Sequence, residues 1–331
     1  MINPSQAWCA QIALTELCWP KAENGQMSAC SNCTRGIGHI RKRYIMPLAD
    51  VERAFAALAD FPLDSDPCPQ GRRKVVGCFG AEAVFHPQFP EIVDIACAAI
   101  PEAYHRGLWC SQDFETYSHP KYGPVREHVY RLLGWHPVSG RRSHGGYLNW
   151  NQHKPEQVCE HQPILVSIGD AVPSPRRRWE LIEDCWVQRE WSPIIGPDHA
   201  GELKWYFCEA AQTHDRLFNL GVGLSVEPGC WRGEIVFTDS DSGIRQPTGR
   251  YAEQIKACCS RCGAALPLPG RRDLQLVDDI SAENLTALRA AGSPMVARGD
   301  FVEYLAADHP YDEAAHRAGG WKPEQYIKAA K

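Results

Sequence analysis

The feature of this sequence that most constrains its fold is a group of three cysteines that follows a short apolar segment near the amino terminus. Ile12 and Leu14 alternate with smaller or polar residues, which predicts a strand that leads to Cys18. A spacer of eleven residues separates Cys18 from the pair Cys30 and Cys33. Iron–sulfur clusters usually take four thiolates, so three cysteines leave one iron open. The pattern indicates such a cluster, with a zinc site or unrelated buried thiols as the alternatives.

A second motif lies at the end of the next predicted strand, Lys74–Phe79. The strand is followed by Gly80-Ala81-Glu82-Ala83 and then by His86-Pro87-Gln88-Phe89. A carboxylate at a strand end can accept charge-assisted hydrogen bonds from a bound ammonium group. The alternative is a glutamate in a solvated loop.

Together the two motifs resemble the radical S-adenosylmethionine (SAM) superfamily. The resemblance lies in the Thr15-x-x-Cys18 segment, in the closing Cys30-x-x-Cys33, and in Gly80 and Glu82 at the second strand end. It implies that Cys18, Cys30 and Cys33 hold a [4Fe–4S] cluster whose open iron binds SAM, beside Gly80 and Glu82.

Two departures from the family pattern are visible. The cysteine spacer is longer than the common one, although its residues are polar or small and doubling a loop costs only about 0.6 kcal/mol. Ala81 and Ala83 replace the second glycine and the proline of a Gly-Gly-Glu-Pro motif. If position 81 needs a positive φ, alanine is disfavoured there.

The order of predicted elements indicates a parallel sheet. Helices are predicted over Ala49–Asp60 and Phe89–Ala99, and a third strand over Arg106–Ser111. Strands that alternate with helices favour an α/β fold, and Gly145–His153 and Pro163–Ile168 are interpreted as later strands. The resemblance implies a partial (β/α)6 TIM-like barrel over residues 1-184.

Polar residues at the predicted strand ends are candidates for contact with SAM or substrate, because barrel folds place ligand groups there. The predicted cofactor-binding set is Gly80, Glu82, Ser111, Asn149 and Asn151, with Gln152, His153 and His161 as further candidates.

A second cysteine group follows in residues 185-270. Its members are Cys185, Cys208, Cys259 and Cys262, and a β-hairpin is predicted from Trp191–Ile195 and Leu203–Phe207. Four thiolates from two distant regions suit a [4Fe–4S] cluster or tetrahedral zinc. Cys159, Cys230 or Cys258 could replace one ligand. In this context the region resembles the auxiliary-cluster domain called SPASM or, in its shorter form, twitch.

The carboxyl-terminal residues 271-331 predict a helical extension. Ser281 is expected to cap a helix over Ala282–Ala291 that ends at Gly292, and a second helix is expected over Phe301–Ala306. These helices are expected to cover the barrel or the auxiliary domain.

Composition limits the compartment and the partners. A net charge of -5 gives no general nucleic-acid footprint, and no apolar run reaches the roughly 20 residues that span a bilayer. The amino terminus shows no secretory signal, so fifteen cysteines suggest metal binding more than disulfides. The expected location is the cytoplasm.

The resemblance implies a radical SAM enzyme. Such an enzyme takes an electron from a flavodoxin- or ferredoxin-like donor, cleaves SAM to a 5′-deoxyadenosyl radical and abstracts hydrogen from its substrate. A small molecule such as a sugar, cyclitol or amino-acid derivative is favoured as substrate, with dehydrogenation or epimerisation as the outcome. A peptide-modifying enzyme and a non-catalytic iron–sulfur or zinc scaffold are the alternatives.

Overall fold

The computed structural model describes residues 3–18, 30–65, 73–135, 145–150, 161–185, 193–241, 243–266, 268 and 277–305. In chain order its strands are β1 (Cys9–Ala13), β2 (Val75–Phe79), β3 (Arg106–Cys110), β4 (Ser118–His119), β5 (Gly123–Pro124), β6 (Tyr147–Trp150), β7 (Ile194–Pro197), β8 (Leu203–Tyr206), β9 (Leu224–Ser225), β10 (Val236–Asp239), β11 (Arg245–Thr248), β12 (Asp278–Ser281) and β13 (Phe301–Tyr304).

The helices of the described residues fall into three types. The α-helices are α1 (Leu48–Ala57), α2 (Phe89–Ala99), α3 (Arg126–Leu133), α4 (Ile168–Ala171), α5 (Pro175–Glu183), α6 (Glu209–Phe218), α7 (Ala252–Gln254), α8 (Ala282–Ala290) and α9 (Pro294–Arg298). The 3-10 turns are Pro4–Gln6, Ile37–His39, Ala83–Phe85 and Ala103–His105, and a π-helix, Ile255–Cys259, continues α7.

A seven-stranded sheet in the order β6-β3-β2-β1-β7-β8-β9 forms the centre of the fold. The five strands from β6 to β7 run parallel, and β8 and β9 are antiparallel additions at one edge. The expected α/β class with a mostly parallel sheet is therefore confirmed. Closure into a partial barrel stays a prediction.

The two faces of the sheet differ in the residues that they carry. Ile12, Cys78 and Leu108 are register partners on one face, and all three are buried in the main apolar core together with α1, α2 and α3. On the other face, the indole of Trp109 lies directly over Gly77 and leaves no room for a side chain there. A Cβ atom at Gly77 would come within 2.0 Å of that ring.

Local periodicity locates most of the predicted elements in the first half of the chain. β1, β2 and β3 confirm the three predicted strands, and α1 and α2 confirm the two predicted helices. The predicted hairpin is formed by β7 and β8, but β7 also pairs with β1, so the hairpin belongs to the central sheet. The sheet thus crosses residue 185, and the predicted division into three domains stays a prediction.

Two predicted elements are wrong. Pro163–Ile168 is a turn, in which the Val166 N–H donates to the Pro163 carbonyl, and Ser167 then caps α4. The predicted helix over Phe301–Ala306 is instead the strand β13 as far as Tyr304, because its backbone pairs in parallel with β12.

The helix predicted at Ala282 is present as α8, and Gly292 follows it with a φ of +68°, as a helix stop requires. The predicted cap is wrong, because the Ser281 hydroxyl accepts the Ser167 N–H at 2.8 Å instead of capping the helix. Within the described ranges, no helix combines the length and apolar character needed to cross a membrane.

Candidate functional site

The two motifs of the first predicted site lie side by side. Pairing between β1 and β2 continues past the strand ends, where the Leu14 N–H donates to the Phe79 carbonyl and the Ala81 N–H donates to the Thr15 carbonyl, each at 2.9 Å. The backbone of Gly80 and Ala81 therefore runs directly beside the segment that leads to Cys18.

Gly80 is required at this junction for two reasons. Its φ of +145° is a conformation that side chains rarely adopt, and a Cβ atom would lie 2.5 Å from the Thr15 carbonyl oxygen. In the described part of the chain only Asn32 and Asn219 have a positive φ without being glycine. Ala81 therefore has an ordinary backbone conformation, and its replacement of a glycine carries no penalty of this kind.

Glu82 is fully buried at the end of β2. Its Oε2 accepts the backbone N–H groups of Ser111 at 2.8 Å and Gln112 at 3.0 Å, whereas its Oε1 has no hydrogen-bond partner. Burial raises the pKa of Glu82, and the Cys110 thiol and these N–H donors oppose that shift. The interpretation of Glu82 as a solvated loop residue is wrong.

The remaining predicted cofactor residues have different positions. Ser111 reaches Glu82 through its backbone, and Asn149 is half-buried on β6 opposite Trp109. His161 is half-buried and acts electrostatically on Glu209. Asn151, Gln152, His153 and Cys159 lie outside the described residues.

The Cys30–Cys33 turn is held by β12. Asn32 has a φ of +51°, and its backbone N–H donates to Asp278 Oδ1 at 2.5 Å. Its side-chain amide donates to Asp279 Oδ2 at 3.0 Å and accepts the Asp279 N–H at 2.8 Å. Cys18, Cys30 and Cys33 are each half-buried, and Cys18 and Cys33 both act electrostatically on Arg43.

Two buried charges next to this turn were missed from the sequence. Arg35 is 5% exposed and lies over the Phe79 ring, and its Nε and Nη1 have no hydrogen-bond partner. Glu209 is 1% exposed, accepts the Thr34 hydroxyl at 2.7 Å through Oε1, and has an unpartnered Oε2.

The two charges also affect each other. Burial lowers the pKa of Arg35, and Glu209 opposes that shift; burial raises the pKa of Glu209, and Arg35 opposes it. Their positions directly after Cys33-Thr34 and Cys208 are the signal that could have identified them.

The second cysteine group converges on one cavity. All four predicted residues line it and Cys258 joins them, around an empty volume of about 350 Å³ that includes space open to solvent. The lining cysteines are Cys185, Cys208, Cys258, Cys259 and Cys262. Burial first, and then the neighbouring thiols, raise the pKa values of Cys208 and Cys259.

Two of the alternative ligands for this site, Cys258 and Cys230, lie in the described residues and have different positions. The Cys258 thiol donates to the Ala211 carbonyl at 3.5 Å, so it already has a backbone acceptor. Cys230 is buried elsewhere, where its carbonyl accepts the Tyr251 hydroxyl at 3.3 Å, and it does not line the cavity.

Gly263 completes the turn after Cys262 for a backbone reason. A Cβ atom there would lie 2.3 Å from the Pro163 carbonyl oxygen and 2.8 Å from that of Val166. The Gly263 N–H donates to the Ile164 carbonyl at 3.2 Å. The turn at Pro163 thus packs directly against the Cys259–Cys262 segment.

Helix α6 contacts both cysteine groups. One face of the helix is formed by Glu209, Thr213, Arg216 and Leu217. From this face Thr213 donates to the Thr34 carbonyl at 2.7 Å, and Arg216 forms an ion pair with Glu16. A different face carries Ala210 and Ala211, which line the second cavity, and Cys208 is the N-cap of the helix.

Among the residues that the structure describes, no group of three or more His, Cys, Asp or Glu side chains has the arrangement of a site for a metal ion. Comparisons with profiles of protein families, with curated proteins and with solved structures find no match to this chain.

Proposed function

We propose that this protein is a radical SAM enzyme that carries two iron–sulfur clusters. The first cluster binds Cys18, Cys30 and Cys33 and leaves one iron open for SAM. The second binds Cys185, Cys208, Cys259 and Cys262. The fold would be a partial barrel, the electron donor a flavodoxin- or ferredoxin-like protein, and the substrate a small molecule.

The unpartnered Oε1 of Glu82 is the observation that carries this proposal. A buried acceptor without a partner costs about 1–3 kcal/mol, and the Cys110 thiol and the Ser111 side chain act on this carboxyl without satisfying Oε1. A donor on a bound ligand would remove that cost. Glu82 lies at the strand end next to the segment that leads to Cys18. The amino group of a bound SAM would supply that N–H donor.

Arg35 supports the same fit. Its unpartnered Nε and Nη1 are cationic donors beside Cys33, and a carboxylate is the acceptor that a guanidinium pairs with most strongly. Glu82 and Arg35 would thus orient the amino and carboxylate groups of the methionine part of SAM. When bound, the cluster and SAM supply the radical chemistry, and this chain supplies position and shields the site from water.

The second cysteine group offers the ligands that either a [4Fe–4S] cluster or a single zinc ion takes. Its four thiols come from the segment after α5, the N-cap of α6 and the π-helix with its following turn. They line one cavity, and four thiolates suit both a [4Fe–4S] cluster and tetrahedral zinc. We assign the cluster here because the first cysteine group, with one iron left open for SAM, implies iron–sulfur chemistry for the same chain.

The test is anaerobic reconstitution with iron and sulfide. We expect about eight irons per chain, the sum of two four-iron clusters, and release of 5′-deoxyadenosine from SAM on reduction. Replacement of Cys30 and Cys33 by alanine should remove about four irons and abolish the release. Replacement of Cys185 and Cys208 should remove the other four.

Cys230→Ala is the matched control, because Cys230 is a buried cysteine that does not line the cavity. This variant should leave the iron content unchanged. Zinc in place of iron, or iron without cleavage of SAM, would refute the enzyme and favour the non-catalytic scaffold. Product analysis with peptides as well as sugars and amino acids would separate a peptide-modifying enzyme from one that acts on small molecules.

A further inference from the structure

A chain of buried hydrogen bonds ends on the turn of the first cysteine group. Asp278 accepts the Asn32 N–H through Oδ1, and its Oδ2 lies 2.9 Å from His39 Nε2. His39 Nδ1 lies 2.7 Å from the Ser293 hydroxyl. Asp278, His39 and Ser293 are each at most 5% exposed. The four residues come from the turn itself, the following 3-10 turn, β12 and the start of α9.

One assignment of donors and acceptors satisfies all members of this hydrogen-bond chain. The Ser293 oxygen accepts the Val296 N–H at 3.2 Å, so its own hydrogen is available to His39 Nδ1. His39 Nε2 then carries the ring hydrogen and donates it to Asp278, which as a carboxylate can only accept. Every group is satisfied with Asp278 negatively charged.

This Ser–His–Asp order does not suit a hydrolase. A catalytic triad places serine on Nε2 and the carboxylate on Nδ1, which is the reverse of the order found here. Ser293 is also 2% exposed and is occupied as the cap of α9. The hydrogen-bond chain therefore acts at its other end, where it fixes the Asp278 carboxylate against the cysteine turn.

We propose that Asp278 is a positioning residue that also lowers the reduction potential of the cluster at Cys18, Cys30 and Cys33. The inference rests on the proposed function. Reduction adds an electron to the cluster, and a buried negative charge nearby opposes that addition. The potential of an iron–sulfur cluster responds to such charges, to hydrogen bonds and to solvent exposure, and a buried charge is poorly screened.

The hydrogen bond of Asp278 places this charge next to the cysteine turn. The Asn32 N–H that donates to Asp278 lies inside the Cys-x-x-Cys segment, one residue from Cys33. His39 and Ser293 fix the orientation of the carboxylate from the opposite side.

The experiment is a redox titration of the reconstituted protein, followed by electron paramagnetic resonance. The signal that changes on addition of SAM identifies the first cluster. Asp278→Asn removes the charge and keeps the shape, and His39 can exchange its ring hydrogen to match the new amide. We expect a midpoint potential at least about 59 mV less negative, a tenfold change for a one-electron couple.

Two control variants separate charge from position. Asp300→Asn removes an acidic charge that is ion-paired to Arg298, and it should leave the potential unchanged. Asn32→Gly keeps the left-handed backbone and the N–H donor to Asp278 but removes the two side-chain hydrogen bonds to Asp279. It therefore loosens the turn without removing the charge of Asp278, and it should shift the potential less than Asp278→Asn does.

An equal potential in Asp278→Asn and Asp300→Asn would overturn the proposal. If Asp278→Asn fails to load iron, Asp278→Ser tests the same loss of charge with a smaller side chain. Failure of both to load, in protein with a native circular dichroism spectrum, would show that Asp278 only positions the turn, which also overturns the tuning role. If the wild-type protein holds no cluster at Cys18, Cys30 and Cys33, it is the proposed function that fails.

Discussion

Replacement of Gly80 by alanine is expected to destabilise the fold by about 2–6 kcal/mol. The conformational part, about 1–3 kcal/mol, arises because a φ of +145° is nearly restricted to glycine. The steric part arises because the new Cβ would lie 2.5 Å from the Thr15 carbonyl oxygen and 3.0 Å from the Thr15 nitrogen. Both are backbone atoms, so no side-chain rotation relieves the contact.

Relief of that contact requires the ends of β1 and β2 to separate. The hydrogen bonds from Ala81 to Thr15 and from Leu14 to Phe79 join those ends, and each contributes about 0.5–1.5 kcal/mol. The matched control is Gly123→Ala. Gly123 also has a positive φ, of +81°, but a Cβ atom there would meet no atom within 4 Å, so only a conformational cost of about 1–2 kcal/mol is expected.

The assay is urea unfolding of both variants and the wild-type protein, followed by circular dichroism. Stability differences come from the midpoints at a common m-value. A Gly80→Ala variant that loses no more stability than Gly123→Ala would refute the close approach of the two strand ends. It would also remove the reason for placing Glu82 beside the segment that leads to Cys18.

Three further predictions concern charge and burial. Glu82→Gln should weaken binding of SAM to the reconstituted protein at least about tenfold in equilibrium dialysis, because a charged acceptor is lost. The control Glu91→Gln removes an exposed carboxylate and should leave the affinity for SAM unchanged. Arg216→Leu should cost up to about 3–5 kcal/mol in urea unfolding, because Glu16 is 1% exposed and would lose the guanidinium that pairs with both of its oxygens. The Tyr44 N–H and the charges of Arg35 and Arg43 would remain beside it. The double variant with Glu16→Gln should cost less, and equal costs would contradict the ion pair. Burial raises the pKa of Cys78 to about 12 from an ordinary 9.0, so this thiol loses its proton at a lower pH in the unfolded chain than in the folded one. The free energy of unfolding should therefore fall as the pH rises from about 9 to 12. This thiol contributes a slope of up to about 1.4 kcal/mol per pH unit. Urea unfolding across that range should show a shallower fall for Cys78→Ala, and an unchanged slope would contradict the assignment.

The sequence predicts elements well where the pattern is local. The alternating residues before Cys18 and the apolar run before Gly80 are strands because their own spacing favours them. β13 could not be found in this way, since Phe301–Tyr304 becomes a strand by pairing with β12, and nothing in the segment itself reveals that partner. The turn at Pro163 depends in the same way on its contact with Gly263.

The candidate site follows the same division. Cysteine spacing identifies four residues that do line one cavity. The groups that surround the first cysteine turn were not predicted, because they are recruited from far along the chain. Asn32 and Asp278 are separated by 246 positions, and neither residue alone indicates the other. Spacing identifies candidate ligands, whereas tertiary packing selects the charges around them.

Helix α6 has a consequence for how this chain can vary. Each residue of this helix is rotated by about 100° from the one before it. The angle between the face that contacts Thr34 and Glu16 and the face that lines the cysteine cavity is therefore fixed by the helix itself and not by any loop. A single residue inserted between Ala211 and Thr213 would rotate the contacts with Thr34 and Glu16 away from those with the cysteine cavity. The length of this helix is therefore far less free to change than the lengths of the connections around it.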